Sequence, residues 1–178
     1  MVDGWPRSLA ETSLLPVGQA ERPLLPMSAR RSRVRHDDGV ADDSPGYEPN
    51  ELLGRLVGFR LYSVQFVLDY VQLHFDGPTE DMPILNCDVM PAVTISGQTL
   101  TDGLPRYADA LRSLISGTVV RTEEATGIGL RIELDNGSVV LHPALAELVG
   151  PEVAMLHGFT DRHWMCWRPG EDSFEDLT

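Results

Sequence analysis

The chain has 178 residues, of which 42% are hydrophobic and 23% charged, a composition typical of one globular domain plus a tail. Its formal net charge of −13 is uneven, because residues 1–46 carry six Arg and seven acids whereas residues 47–178 carry eight Arg and twenty acids. Such an acidic domain repels phosphate groups, so we expect neither nucleic acid nor a membrane as a partner of the folded part.

Residues 1–46 are predicted to form a disordered N-terminal tail. They contain five prolines, and their leucine pairs lack any helical or alternating period, so the segment cannot bury enough apolar area to offset its chain entropy. Either Met1 or Met27 fits as the start of the protein. No stretch has the composition of an export signal or a membrane span, which predicts a cytoplasmic location.

A single α+β domain is predicted over residues 47–178, and it begins with strands. Apolar residues alternate along the first part, and a tight turn is expected near Leu68 and Asp69. The strands predicted for this block cover residues 56–66, 70–76, Ile84–Val89 and Ala92–Ile95.

The clearest helix is predicted at Leu104–Ile115. Tyr107, Leu111 and Leu114 fall on one face at helical spacing, which indicates an amphipathic helix that packs on a sheet. Asp102 is suited to cap its start.

A second block of strands follows the helix. Asn136-Gly137 between alternating apolar runs predicts a β-hairpin, and residues 143–149 predict a short helical turn. The strands predicted here are Thr118–Arg121, Leu130–Leu134, Ser138–Leu141, Val153–Leu156 and Trp164–Trp167, followed by an acidic end at Gly170–Thr178. The two blocks share a loose outline that does not establish a repeat. The predicted fold is therefore α+β, a mostly antiparallel sheet with one principal amphipathic helix packed on one face.

Four residues near the C-terminus have side chains that zinc prefers: His157, Asp161, His163 and Cys166. Their spacing matches no common structural zinc pattern. Alternation along the last strand also directs Cys166 and His163 to opposite faces. The sequence therefore disfavours a metal site, although a metal-binding protein stays open as an alternative.

No residue is predicted to be catalytic, and no cofactor is predicted. Cys87 and Cys166 lie in apolar strand-like stretches and are expected to be buried free thiols. A Cys–His pair, for example with His74, is disfavoured because Asp88 beside Cys87 opposes formation of a thiolate. The glycine loops of nucleotide-binding proteins and the serine elbow of hydrolases are absent from the sequence.

A contact patch is a further hypothesis for the C-terminal part. Trp164 and Trp167 fall on opposite faces of a strand, with Arg162 and Arg168 beside them. Exposed Trp and Arg side chains are typical of protein interfaces.

Three stretches carry a resemblance to known proteins: Val64–Gly77 (VQFVLDYVQLHFDG), Leu104–Gly117 and the Asp135-Asn136-Gly137 turn. Together they resemble a group of small bacterial, largely actinobacterial, domains of uncharacterised function. The resemblance implies an α+β domain and carries no active site.

The sequence favours a non-enzymatic protein-binding module, of the kind formed by immunity proteins, that binds a basic partner. One alternative is a small enzyme or ligand-binding protein with a pocket between sheet and helix. The oligomeric state is left open.

Overall fold

A computed structural model describes residues 47–178. The tail predicted at residues 1–46, with its possible start at Met27, lies outside the described residues. The described part contains ten strands, one α-helix and three 3-10 helices. The strands are β1 (Arg60–Val67), β2 (Tyr70–Asp76), β3 (Ile84–Cys87), β4 (Ala92–Ile95), β5 (Gln98–Leu100), β6 (Val119–Ala125), β7 (Gly129–Leu134), β8 (Gly137–Leu141), β9 (Ala154–His157) and β10 (Met165–Trp167), and the helix is α1 (Tyr107–Ser113).

The strands divide between two antiparallel sheets of five strands each. Sheet A has the order β1-β2-β3-β9-β10, and sheet B has the order β5-β4-β8-β7-β6. The mostly antiparallel architecture with one helix is as predicted. The expectation of one sheet covered by a helix is not confirmed, because the inward faces of both sheets contribute to one hydrophobic core. A second sheet therefore covers much of the apolar area that the helix was expected to cover.

The two halves of the chain follow the same path. In each half, three consecutive strands form a meander, and the next two form a hairpin that joins the other half's sheet. Thus β4–β5 extends the sheet that contains β6–β8, and β9–β10 extends the sheet that contains β1–β3. Each strand of the first half therefore has a counterpart in the second: β1 with β6, β2 with β7, β3 with β8, β4 with β9 and β5 with β10.

The hydrogen bonds that join the halves have the reciprocal pattern of a two-fold axis. Arg60 pairs with Thr118, its own counterpart. On either side, Leu61 N donates to Gly117 O at 2.9 Å and Val119 N donates to Phe59 O at 2.8 Å. Both first strands also change register directly after this bridge, β1 between Leu61 and Ser63 and β6 between Val119 and Arg121. The loose outline in the sequence is therefore an internal structural duplication.

Helix α1 is shorter than the predicted Leu104–Ile115. Arg106 has a left-handed backbone with φ 73°, which stops the helix from extending back toward Asp102. Tyr107 is buried and its hydroxyl donates to Pro91 O at 2.7 Å, which holds the start of α1 against the chain before β4. The amide of Asn136, in the predicted hairpin turn, donates to the last carbonyls of the helix, at 3.1 Å to Ser113 O and 3.2 Å to Leu114 O.

The two ends of the described chain meet at the buried carboxylate of Glu124 on β6. Glu124 accepts hydrogen bonds from Trp167 Nε1 at 2.6 Å, from Asn50 N at 2.8 Å and from the Tyr47 hydroxyl. Ser173 Oγ donates to the same carboxylate at 3.2 Å. The acidic end at Gly170–Thr178 is thus part of the fold, since Phe174 and Leu177 within it are buried.

Candidate functional site

The residues predicted as weak metal ligands do not form one site. Asp161 Oδ2 accepts from Arg55 Nη1 at 2.8 Å and lies 3.0 Å from His163 Nδ1 in the loop before β10. His157 and Cys166 lie on the strands of sheet A instead. Residues 47–178 contain no group of three or more His, Cys, Asp or Glu side chains placed to hold a metal ion.

The predicted contact patch is divided by the fold. Trp167 is fully buried in the core, whereas Trp164 is 48% exposed. Arg168 Nη2 lies 3.6 Å from Glu152 Oε1, and Arg162 is exposed in the loop before Trp164. A contact role for the exposed members of the patch stays a prediction.

Both cysteines are free thiols. Burial raises the pKa of the Cys87 thiol, and burial together with the Glu152 carboxylate raises the pKa of Cys166 to about 12. Neither sulfur is therefore a thiolate at neutral pH, which is the state a nucleophile requires. Cys87 points into the core and His74 lies on the outer face of the same sheet, so the two do not form a catalytic pair.

The outer face of sheet A carries a row of uncharged side chains that includes two histidines and a tryptophan. The register places His74 beside Ser63 on one side and Ile84 on the other, and Ile84 beside His157. Trp164 directly precedes β10, where Met165 pairs with Leu156, so Trp164 comes next to His157. The row thus crosses β1, β2, β3 and β9 and ends at Trp164, directly before β10.

Hydrogen bonds connect the central members of this face. Gln72 Nε2 donates to Asn86 Oδ1 at 2.9 Å, and His74 Nε2 lies 3.3 Å from the Gln72 Oε1 acceptor. Asn86 Nδ2 lies 3.5 Å from His157 Nε2. The chain of contacts spans β2, β3 and β9, and it holds the amide and imidazole groups in fixed positions.

Both histidines of the face are neutral at pH 7. Burial lowers the pKa of His74, and burial and the positive charge of protonated His74 both lower the pKa of His157. The ring of Tyr62, the residue at the register shift in β1, meets His74 edge-on at a centroid distance of 6.0 Å. No side chain in this part of the face carries a charge at neutral pH.

We call this surface the uncharged face. It consists of Tyr62, Ser63, Gln65, Gln72, His74, Ile84, Asn86, Met155, His157, Trp164 and Cys166, and none of these residues is fully buried.

The corresponding face of sheet B is charged. Arg131 lies at the counterpart position of Gln72, and Glu133 lies at the counterpart position of His74. Arg131 Nη1 and Glu133 Oε1 are 3.6 Å apart, and Arg121 pairs in the same way with Glu123 at 3.7 Å. The two sheets thus differ at the centre of their outer faces. Sheet B has ion pairs there, whereas on sheet A the ion pairs Arg60–Asp76, at 2.7 Å, and Arg168–Glu152, at 3.6 Å, flank the amide–imidazole surface.

A groove of about 560 Å³ lies between α1 and the β4–β5 hairpin. Ile95 and Leu100 contribute apolar walls, and Gln98, Arg106 and Asp109 contribute polar groups. This is the place where the sequence allows a ligand pocket between sheet and helix. Neither His157 nor His163 lines it.

The sequence interpretation missed Gln72, Asn86 and Tyr62 as a group, and considered His74 only as a partner for cysteine. The available signal was a contrast in the solvent-facing positions of two similar strands, Gln72 and His74 against Arg131 and Glu133. Recognising it requires knowing that the two strands are counterparts.

Comparison of the chain with protein-family models, with curated proteins and with solved structures finds no match. The resemblance to small actinobacterial domains therefore stays a prediction. In the described part of the chain, no helix is both long and apolar enough to cross a membrane.

Proposed function

We propose that this protein is a non-enzymatic protein-binding module, similar in kind to an immunity protein, that binds a basic protein partner through the uncharged face. The observation that carries the proposal is the contrast between the two sheets. At the two central positions where sheet B has the salt-bridged pair Arg131 and Glu133, sheet A has the uncharged Gln72 and His74.

The chemistry of the uncharged face fits a protein interface. Interface centres are depleted in charged residues and enriched in aromatic residues and methionine, and Tyr62, Trp164 and Met155 are of these types. Its amide and imidazole groups are already held by hydrogen bonds, so less conformational freedom is lost on binding.

The charge of the domain supports a basic partner. Eight Arg and twenty acids in residues 47–178 give a net charge of −12, which steers cationic proteins toward the molecule and accelerates association. The proposal includes a cytoplasmic location, which two free thiols support because the cytoplasm keeps cysteines reduced.

The duplication supplies a matched test. Gln72→Arg together with His74→Glu puts the charged pair of β7 on β2 without changing the net charge at neutral pH. The control is the reverse change on sheet B, Arg131→Gln with Glu133→His. We expect the full chain and the control to retain the same basic protein from a lysate of the native host at low salt, and the β2 variant to lose it.

Two results would count against the proposal. If the full chain retains no protein at low salt, the protein-binding function is rejected. If the β2 variant retains the partner and the sheet B variant loses it, the function stands but the binding face is the other one. Circular dichroism of both variants shows whether each has folded.

A second function is favoured by the groove beside α1, whose volume is within the range of small-molecule sites. There the protein would bind a small polar ligand between Arg106 and Asp109. At the place in the first half that is equivalent to this groove, the Arg55 guanidinium packs on the Phe159 ring at 3.9 Å. The residue of α1 that corresponds to Arg55 is Ser113, whose side chain is much shorter. Ser113→Arg should fill the groove, and a ligand whose binding to the wild type is measured by calorimetry should then no longer bind.

A further inference from the structure

The edge of β1 beyond its register shift is free in the described part of the chain. β1 meets the other half only at its start, where Arg60 pairs with Thr118, and its one ladder partner in sheet A is β2. After Tyr62 the strand runs on to Val67 and into a tight turn at Leu68. Its outer row of backbone N–H and C=O groups has no neighbouring strand among the described residues.

The counterpart edge, on β6, is covered. The 3-10 helix Leu53–Leu56 packs against β6, Asn50 Nδ2 donates to Thr122 O at 3.4 Å, and Asn50 N donates to Glu124. Phe66 stands at the position in β1 that Glu124 has in β6. Phe66 is 48% exposed, whereas Glu124 is 6% exposed. The duplication thus leaves one of two equivalent edges open.

Beyond the register shift at Tyr62, the open edge has neither of two features that normally prevent strand pairing, a charge or a proline. Tyr62–Leu68 (YSVQFVL) contains no charged residue and no proline, although 23% of the whole chain is charged. Leu68 is 98% exposed and Tyr62 is 40% exposed. Edge strands of monomeric proteins are usually protected by charges, by proline or by extreme shortness, and an exposed apolar edge is a template for pairing.

We propose that the edge Tyr62–Leu68 pairs antiparallel with the same edge of a second copy of this chain, with the two-fold axis at Gln65. A contact between identical surfaces is the form that dimers with two-fold symmetry take. This pairing joins two copies of sheet A into one ten-stranded sheet.

The segment is complementary to itself in this register. Val64 lies opposite Phe66 of the second copy, and both are on the core side of sheet A, since they pair with Leu73 and Val71 of β2. Tyr62, at the register shift, and Leu68, in the turn after β1, lie at the two ends of the paired stretch. Val67 lies opposite Ser63 and Gln65 meets its own copy, so the gain in apolar contact comes from the exposed Phe66 against Val64.

Charge selects this edge over other surfaces. Two chains with a net charge of −13 each repel one another, so they can associate only through a surface that brings no carboxylates together. Tyr62–Leu68 is such a surface, because the nearest acids are Asp69 in the turn and Asp76, which is paired with Arg60 at 2.7 Å. A single-strand contact is small, so we expect a dissociation constant in the micromolar range.

Sedimentation velocity of the full chain over concentrations from about 1 to 200 µM tests the proposal, a range that brackets micromolar dissociation. We expect a monomer–dimer equilibrium. Gln65→Glu puts two carboxylates face to face at the two-fold axis, and it should weaken dimerisation about tenfold or more because like charges in an interface are costly. The matched control is Gln98→Glu on the exposed edge strand β5, which should leave the dimer unchanged.

A wild-type chain that stays monomeric at the highest concentration overturns the proposal. A dimer that Gln98→Glu weakens and Gln65→Glu leaves intact also overturns it. Both residues are exposed, so neither change should unfold the protein. Tyr62, Ser63 and Gln65 also belong to the uncharged face, but sedimentation of the purified chain measures dimerisation in the absence of a basic partner.

Discussion

The indole Nε1 of Trp167 donates to the carboxylate of Glu124 at 2.6 Å inside the protein, and this contact joins the last strand of sheet A to the first strand of the second half. The carboxylate is buried, and its hydrogen-bond donors come from β10, from Tyr47 and Asn50 before the first helix, and from Ser173 near the C-terminus. One side chain therefore holds both ends of the described chain against the core.

Replacing Glu124 by Ala should destabilise the protein strongly. The change leaves the buried Trp167 N–H without its acceptor and removes the hydrogen bonds that Asn50 N and the Tyr47 hydroxyl donate to the same carboxylate, which together costs about 3 kcal/mol or more of the free energy of unfolding. Urea unfolding followed by tryptophan fluorescence measures the loss. Glu123→Ala is the control, because the neighbouring carboxylate is about one third exposed and pairs with the exposed Arg121 at 3.7 Å, so its removal should cost less than about 1 kcal/mol. Equal effects of the two changes would contradict the proposed role of Glu124.

Stability should fall between pH 7.5 and pH 5.5. The pKa values of His74 and His157 are lowered in the folded protein by burial, so below their ordinary value of about 6.5 the unfolded chain binds protons that the folded chain does not. Protonation of the unfolded chain therefore draws the equilibrium toward unfolding as the pH falls. We expect a lower urea midpoint at pH 5.5 than at pH 7.5.

The double variant His74→Gln/His157→Gln should show a smaller difference in urea midpoint between these two pH values than the wild type. Hydrogen bonds from Thr160 lower the pKa of Asp81, and a contribution from that carboxylate is lost only as the pH falls below its ordinary value of 3.8. The pH range in which the two histidines affect stability is therefore separate from the range in which Asp81 does. An unchanged midpoint down to pH 5.5 in the wild type would refute the histidine contribution.

Neither cysteine should react readily in the folded protein. Burial raises the pKa of both thiols, that of Cys166 to about 12, so almost none of the thiolate that attacks iodoacetamide is present at pH 8. Mass spectrometry should find Cys87 unmodified and Cys166 modified slowly, and both modified at once in 6 M guanidinium. Rapid labelling of Cys166 in the folded protein would show that its thiol has a different environment.

Gly158 after β9 should not tolerate a side chain. Its φ of 95° is disfavoured for other residues, and a Cβ there would lie 2.3 Å from Met82 O, inside contact distance. Gly158→Ala should therefore cost about 2 kcal/mol or more, by strain and by displacement of the Met82 backbone. Gly150→Ala is the control, since a Cβ at Gly150 meets nothing within 4 Å. Thermal unfolding compares the two variants, and equal midpoints would contradict the clash.

The strands that were predicted well are those whose neighbours follow closely in the chain. Alternation predicts β2 and β4 with the bounds that the structure has, and the turn at Leu68 is confirmed. By contrast, β5 has only three residues, too few for alternation to be visible. The division into two sheets was not predicted, because it depends on where β4 and β9 pair, and such pairing between distant segments leaves no periodic signal in the sequence.

The candidate site was less accessible to sequence reasoning than the fold. Gln72 and Asn86 contact each other because β2 and β3 are neighbours, and pairing of consecutive strands can be expected from the sequence. His157 joins them only because β9 crosses to sheet A, which the sequence does not indicate. The helix, by contrast, was predicted too long. Its apolar period continues to Ile115, but the left-handed backbone of Arg106 and the amide of Asn136 limit it to seven residues.

The exchange of hairpins makes each half of the chain dependent on the other for folding. If the chain were cut in the loop between β5 and α1, each fragment would keep a three-stranded meander and a hairpin whose partner strand is on the other fragment. Alone, the hairpin is marginally stable at best, and the meander has no second sheet against which to bury its apolar face, so we expect both fragments to stay unfolded when separate and to assemble when mixed. In folding terms the protein is an obligate complex of its own two halves, and the loop between β5 and α1 is the tether that keeps them at high effective concentration.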